Sequence, residues 1–319
     1  MTGSVLEVKD LSVTFRTEDG PLSAVDHVNL QVSDGEVLAI VGESGCGKSV
    51  TAMSLAGLLP RSATVDGSVR LDGVELIGAD KRTLRSIRGR EVAYIFQEPM
   101  TSLNPVFTVG YQISEVLRIH IGLSKQAARK RAVELLKLVG ISSAERRVDD
   151  YPHQLSGGMR QRVMIAMAVA CDPKVLIADE PTTALDVTIQ AGILDVLRAL
   201  RERLGTSVVL ITHDLGVVAD LADRVAVMYA GRVVETAEVH ELFARPQHPY
   251  TAGLLGASPS AGRHAGTDRL NEIPGLVPVL AEQPDACTFA DRCPRVVDIC
   301  RTKEPVLTAR VACWNPEGR

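Results

Sequence analysis

The sequence predicts an α/β fold in which a buried parallel sheet carries a glycine-rich loop. An antiparallel β layer precedes the loop, a helical insert interrupts the sheet, and a small cysteine-containing extension follows. Three observations predict this. Val37-Leu38-Ala39-Ile40-Val41 is an apolar run of strand length that leads directly into Gly42-Glu43-Ser44-Gly45-Cys46-Gly47-Lys48-Ser49 and then a helical pattern. Two more apolar runs, Val175-Leu176-Ile177-Ala178 and Ser207-Val208-Val209-Leu210-Ile211-Thr212, end in the polar pairs Asp179-Glu180 and His213-Asp214 and alternate with helical stretches. From Val109 to about Ala170 the apolar period is helical throughout.

Taken in order, residues 5 to 41 alternate like an antiparallel layer. Val5-Leu6-Glu7-Val8, Leu11-Ser12-Val13-Thr14-Phe15 and Ala24 to Val32 read as strands, with turns at Asp19-Gly20-Pro21 and Asp34-Gly35. Phe15 closes one strand; it can stack on an adenine ring or serve as an ordinary core or edge aromatic. The helix after the loop runs towards Leu59 and stops at Pro60. Ser68 to Leu76 reads as a hairpin turned at Asp72-Gly73, and Glu91 to Phe96 as a strand ending at Gln97. A polar, proline-bounded loop follows from Gln97 to Pro105.

In the helical insert, Ser124 is a cap for a helix with Ala128, Ala132, Leu135, Leu136 and Val139 on one face, ended by Gly140. The insert closes on Leu155-Ser156-Gly157-Gly158-Met159-Arg160-Gln161, a small-residue turn opening a helix that lasts to Asp172-Pro173. Ala184-Leu185-Asp186 leads into a further helix with Ile189, Ile193, Leu197, Leu200 and Leu204 on one face and Gly205 at its end. Arg224 to Tyr229 and Arg232 to Glu235 form a last hairpin around Ala230-Gly231. From about Pro246 prolines and glycines become frequent and helical periodicity is mostly lost, which places a boundary near residue 240.

The loop chemistry follows from its residues. GxxxxGKS between a strand and a helix turns backbone N–H groups onto a polyphosphate, brings Lys48 to the outer phosphates and offers the Ser49 hydroxyl to magnesium. Composition narrows the rest. Of the 319 residues 45% are hydrophobic and 23% charged, a soluble globular balance, and a formal net charge of −4 disfavours direct binding of nucleic acid. No apolar run approaches the ~20 residues that span a bilayer. The opening MTGSVLEVKD has neither a charged nor an apolar signal region, so a cytoplasmic location is expected.

Five motifs in fixed order, GESGCGKS, Gln97, LSGGMRQ, VLIADE and His213, resemble the ATP-binding subunits of ABC transporters. LSGGMRQ is the most specific of them. Phe96 to Pro105, His248-Pro249-Tyr250-Thr251, Ile273-Pro274-Gly275 and the four-cysteine tail look like the dipeptide, oligopeptide and nickel importer branch. GKSVTA, at Gly47 to Ala52 with Val50 in the first turn, and Gly57-Leu58-Leu59-Pro60 look more like the D-type ATPase of that branch than its F-type paralogue.

The resemblance implies an ABC-type fold: a RecA-like core with an antiparallel β layer over residues 1–240, a helical subdomain at about 100–170, and a C-terminal extension over 241–319. It also implies the roles. Phe15, Gly42, Ser44, Gly45, Cys46, Gly47, Lys48, Ser49 and Val50 bind ATP. Ser49, Gln97 and Asp179 hold Mg2+ directly or through water, Glu180 is the general base, Gln97 senses the metal or the water, and His213 contacts the γ-phosphate. Ser156, Gly157 and Gly158 present a hydroxyl and amides to the γ-phosphate on a second subunit, and Asp186 lies at the interface. The implied partners are a second ATPase, an F-type paralogue in a heterodimer, two membrane permeases touched by the Gln97 to Pro105 loop, and an extracytoplasmic binding protein. Peptides are the implied cargo; nickel, glutathione or another small solute in the same machine, or a soluble ABC ATPase uncoupled from transport, are the alternatives. No nucleic acid is implied.

Cys287, Cys293, Cys300 and Cys313 are separated by five, six and twelve residues. Four thiolates can bind zinc or an iron–sulfur cluster. The absence of any CxxC pair weakens a zinc ribbon, and resemblance to importers whose tails carry [4Fe-4S] favours iron–sulfur. Cys46, inside the loop, is read as a tolerated small side chain, with sensitivity to oxidation as the alternative.

Overall fold

A computed structural model describes residues 3–18, 20–97, 102–182, 187–257 and 272–318. The loop readings at Glu98 to Thr101 and the helix lead-in at Ala184-Leu185-Asp186 fall outside the described residues. In chain order the elements are β1 (Ser4–Thr17), β2 (Gly20–Ser33), β3 (Val37–Val41), α1 (Lys48–Leu55), β4 (Ala63–Leu71), β5 (Val74–Glu75), α2 (Lys81–Ile87), β6 (Val92–Ile95), α3 (Val109–His120), α4 (Lys125–Leu138), α5 (Ala144–Arg147), α6 (Gly157–Ala168), β7 (Val175–Asp179), α7 (Val187–Leu204), β8 (Ser207–Ile211), α8 (Leu215–Leu221), β9 (Arg224–Tyr229), β10 (Arg232–Glu238), α9 (Val239–Ala244) and α10 (Pro249–Ala257). The chain divides into two units.

The first unit comprises residues 1–6, 32–36 and 71–211. Its β6, β7 and β8 pair in parallel, Val92 opposite Val175 and Val175 opposite Ser207, with Asp179 opposite Ile211 at the far end. Every residue of β7 and β8 is buried. Parallel strands point the same way, so their carboxyl ends share an edge, which is where Gln97 and Glu180 emerge. The helical insert is as the spacing predicts. Ser124 accepts from the Ala127 amide, and Ala128, Ala132, Leu135, Leu136 and Val139 are all fully buried. Gly140 is left-handed, and the Ile141 amide bonds the Leu136 carbonyl, closing α4 with a Schellman turn.

The second unit comprises residues 7–31, 37–70 and 212–319. Here β3, all five residues buried, lies parallel to β9, and β9 and β10 form the antiparallel hairpin turned at Ala230-Gly231. The α1 helix ends at Leu55, earlier than the run to Leu59 predicts. Left-handed Gly57 lets its own amide reach Ser54 and the Leu58 amide reach Met53, satisfying the last carbonyls before Pro60 is reached.

The extension departs from the loss of periodicity expected beyond Pro246, because the His248-Pro249-Tyr250 run opens α10. It also adds to β10. The Thr236 amide donates to the Arg310 carbonyl and the Ala312 amide to the Val234 carbonyl, each at 2.8 Å. Tyr229, Tyr250 and Phe289, all fully buried, meet edge-on or tilted with centroids 4.7 to 5.3 Å apart, a single aromatic knot joining β9, α10 and the tail.

Candidate functional site

The phosphate loop lies wholly in the second unit. Two of its glycines are required by close backbone approach. A Cβ on Gly42 would stand 2.3 Å from the Met228 carbonyl oxygen, and one on Gly47 2.5 Å from that of Ala24. Gly47, left-handed, precedes Lys48 at the start of α1. The Lys48 side chain is buried, and its Nζ donates to the carbonyls of Gly42 at 2.8 Å and Glu43 at 2.9 Å. An ammonium held by the loop's own carbonyls inside a turn rich in glycine is a preformed anion seat. Ser49 and Val50 occupy the first turn of α1, and Ser44 and Gly45 lie exposed on the loop. Cys46 is fully buried and burial pushes its thiol up, which fits the small-side-chain reading better than a reactive one. Phe15 sits within β1, which runs on to Thr17, and is half-buried. His213 is exposed in the same unit, next to Thr212, whose amide donates to the Ile40 carbonyl.

The first unit holds the other half of the predicted set. Asp179 is buried at the end of β7, where Oδ2 accepts from the Tyr94 hydroxyl at 2.8 Å. Glu180 follows with φ 47°, a left-handed conformation strained for a glutamate, and its Oε2 accepts from Gln97 Nε2 at 3.0 Å. Strain of this kind is tolerated where a side chain must be aimed. The Glu180 amide is anchored on the Ile211 carbonyl. Ser156 caps α6 through the Met159 amide; Ser156 and Gly157 are exposed, and a Cβ on Gly158 would meet Ile189 at 2.7 Å. The structure thus brings Gln97 to Glu180. Asp186 lies outside the described residues.

Sequence reasoning missed Tyr94, which carries no motif and reaches Asp179 only because β6 and β7 are in parallel register. It also missed Glu43, Tyr250 and Arg292, taken up below.

The four cysteines are not drawn into a ligand set. All are free, and among the described residues no group of three or more His, Cys, Asp or Glu is placed to hold a metal ion. Burial raises the Cys293 and Cys313 thiols and pushes that of Cys287 up to about 11. The expected iron–sulfur or zinc site therefore finds no support among the described residues. No described helix is long and apolar enough to cross a membrane.

A lysine seated in a glycine loop after a buried strand, and a strand-end Asp-Glu pair met by a glutamine, define a P-loop ATPase, and the signature before α6 places it more narrowly. The family described as ABC transporter matches residues 25–183, and the one described as oligopeptide/dipeptide transporter, C-terminal region, matches residues 234–300. The chain belongs to the ATP-binding subunits of ABC transporters. It is 53% identical over 318 residues to a probable peptide ABC transporter ATP-binding protein of Sinorhizobium fredii, covering 98% of this chain and 95% of that one. It is 56% identical to the oligopeptide transport ATP-binding protein OppD of Mycobacterium tuberculosis, covering 98% of this chain and 52%, about half, of that longer protein. Among solved structures, the dimeric post-hydrolysis state of the ATP-binding cassette MJ0796 bound to ADP and Pi is 31% identical with a TM-score of 0.67, over 73% of this chain and 98% of that one. The ABC ATPase fold and ATP hydrolysis follow for this chain.

Proposed function

We propose that the chain is the ATP-hydrolysing subunit of a bacterial importer of di- and oligopeptides, peripheral on the cytoplasmic face of the inner membrane. The peptide cargo is supported by the match of residues 234–300 to the oligopeptide/dipeptide transporter region and by the names of its relatives. The hydrolytic part is carried by one observation: a strand-end glutamate, aimed by a left-handed backbone, bonded to Gln97 at 3.0 Å.

In this reading the loop amides from Gly42 to Gly47 and Lys48 bind the phosphates, and Phe15 stacks on the base. Ser49 and Asp179 supply a hydroxyl and a carboxylate, the oxygen donors that suit Mg2+, and would hold it; the ion neutralises phosphate charge. Glu180 takes the proton of the attacking water while Gln97 orients both, and His213 hydrogen-bonds the γ-phosphate. Ser156, Gly157 and Gly158 serve the nucleotide of a second ATPase, an F-type paralogue, and Asp186 belongs to that interface. Residues 1–240 form the ATPase domain, with a helical subdomain at about 100–170, and 241–319 the extension. Closure of the ATPase pair would act through the Gln97 to Pro105 loop on two permeases fed by an extracytoplasmic binding protein. The iron–sulfur reading of the tail rests on resemblance alone, so ATP and Mg2+ are the cofactors proposed.

Uptake of labelled di- and oligopeptides by cells carrying either the native chain or Glu180→Gln as sole copy tests this. Import by native cells alone is expected. Equal uptake in both moves the cargo to nickel, glutathione or another solute.

A further inference from the structure

The phosphate-loop motif accounts for three glycines, Lys48 and Ser49, but not for Glu43 or for what the C-terminal extension does beside it. Arg292, 249 positions away, grips the Glu43 carboxylate at both oxygens: Nη1 donates to Oε2 at 2.8 Å and Nη2 to Oε1 at 3.0 Å. The guanidinium is itself fixed. Its Nε donates to the Pro274 carbonyl at 2.7 Å, its Nη2 also reaches the Ile273 carbonyl at 3.2 Å, and it lies 5.7 Å from the Tyr229 ring centroid. Only 7% of its side chain is exposed. From the same extension the buried Tyr250 hydroxyl accepts from the Glu43 backbone amide at 2.8 Å. On its other side the Glu43 carbonyl accepts from Lys48 Nζ at 2.9 Å. One loop residue therefore ties the tail to the phosphate-binding lysine.

A second link acts through the hairpin. The Gly231 amide donates to the Cys46 carbonyl at 2.9 Å, and Gln283 of the extension donates to the adjacent Ala230 carbonyl at 2.9 Å. A loop that must order itself around phosphates loses affinity by the entropy of ordering; one already held in place does not.

We propose that Arg292 and Tyr250 are positioning residues for nucleotide binding: acting through Glu43, they hold the phosphate loop and Lys48 in the anion-accepting arrangement, so that the C-terminal extension sets the affinity for ATP. This rests on the reading of Lys48 as a phosphate ligand. Both act on the loop, through Glu43.

The test is titration of the purified full-length chain with a fluorescent ATP analogue and Mg2+, reading dissociation constant and stoichiometry separately. Arg292→Ala and Glu43→Gln should each weaken binding about tenfold at unchanged stoichiometry, the double variant should be no weaker than the weaker single, and Arg292→Lys, which keeps the charge but not the fork, should recover only part. Native affinity in the single variants, additive losses in the double, or reduced stoichiometry at native affinity would each overturn the proposal. If Arg292→Ala does not fold, Glu43→Gln, which leaves the tail intact, decides alone. Lys48→Ala separates the two readings: unchanged binding there removes the phosphate-loop assignment itself, whereas loss there with native binding in the Glu43 and Arg292 variants removes only the positioning role.

Discussion

The Tyr94 hydroxyl donates to Asp179 Oδ2 at 2.8 Å across the parallel pair β6 and β7, so the carboxylate proposed to hold magnesium is oriented by a neighbour strand. Burial, reinforced by the Asp179 charge, pushes the tyrosine up, and it stays a neutral donor at any physiological pH. A ligand carboxylate that loses its outer hydrogen bond binds its ion less well. Tyr94→Phe keeps the ring, which packs 4.6 Å from Phe96, and should fold normally. The Mg2+ concentration for half-maximal ATPase should rise about tenfold. An unchanged Mg2+ dependence would show that the hydroxyl does not orient the ligand.

Glu180→Gln keeps an oxygen for Gln97 Nε2 and removes the basic carboxylate. Nucleotide affinity should be retained while hydrolysis falls by about 10² to 10⁴. ATPase assays with a count of bound nucleotide per chain check this, and turnover near the native rate would take the base role away from Glu180.

The loop glycines differ in what surrounds them, and their variants should differ likewise. Gly42→Ala and Gly47→Ala place a methyl group 2.3 and 2.5 Å from backbone oxygens, which must shift, and should cost about 2 to 4 kcal/mol and abolish ATP binding. At Gly45 a Cβ meets nothing within 4 Å, so Gly45→Ala bears only its left-handed backbone cost, about 1 kcal/mol. Thermal unfolding beside nucleotide titration separates the cases; equal losses at all three positions would contradict the packing described.

Features coded within one stretch of chain were legible. The α4 helix carries its cap, stripe and terminal glycine in seventeen consecutive residues, Ser124 to Gly140, and the Asp72-Gly73 and Ala230-Gly231 turns declare themselves by residue type. The short α2 leaves little mark in the sequence, although Asp80 caps it by accepting from the amides of Arg82 and Thr83; seven residues give too little periodicity to stand out. Likewise Asp214 looks like a strand-end polar residue in the sequence, and in the structure it caps α8. At the site, the motifs locate Lys48, Asp179 and Glu180, whereas Tyr94 and the Arg292 grip on Glu43 depend on strand register and on a fold that closes 249 positions of chain, neither of which leaves a local mark.

His248 offers a pH signature of the extension. It is 1% exposed, its Nδ1 accepts from the Tyr250 amide at 3.1 Å, and burial pushes its imidazole down to about 3. The unfolded chain takes up this proton below about pH 6.5, and the folded chain not until about pH 3. Between those values the unfolded state binds more protons, so the contribution is fully present above pH 6.5 and is lost as pH falls towards 3. Going from pH 7 to pH 5 should therefore cost about 2 kcal/mol through this residue. In His248→Asn an amide oxygen can accept from Tyr250 without titrating, and the loss over the same interval should shrink by about that amount. Denaturant unfolding of both chains at pH 7 and pH 5 measures it. Equal losses in the two would show that another group governs acid stability and that the imidazole is not held neutral beneath the tail.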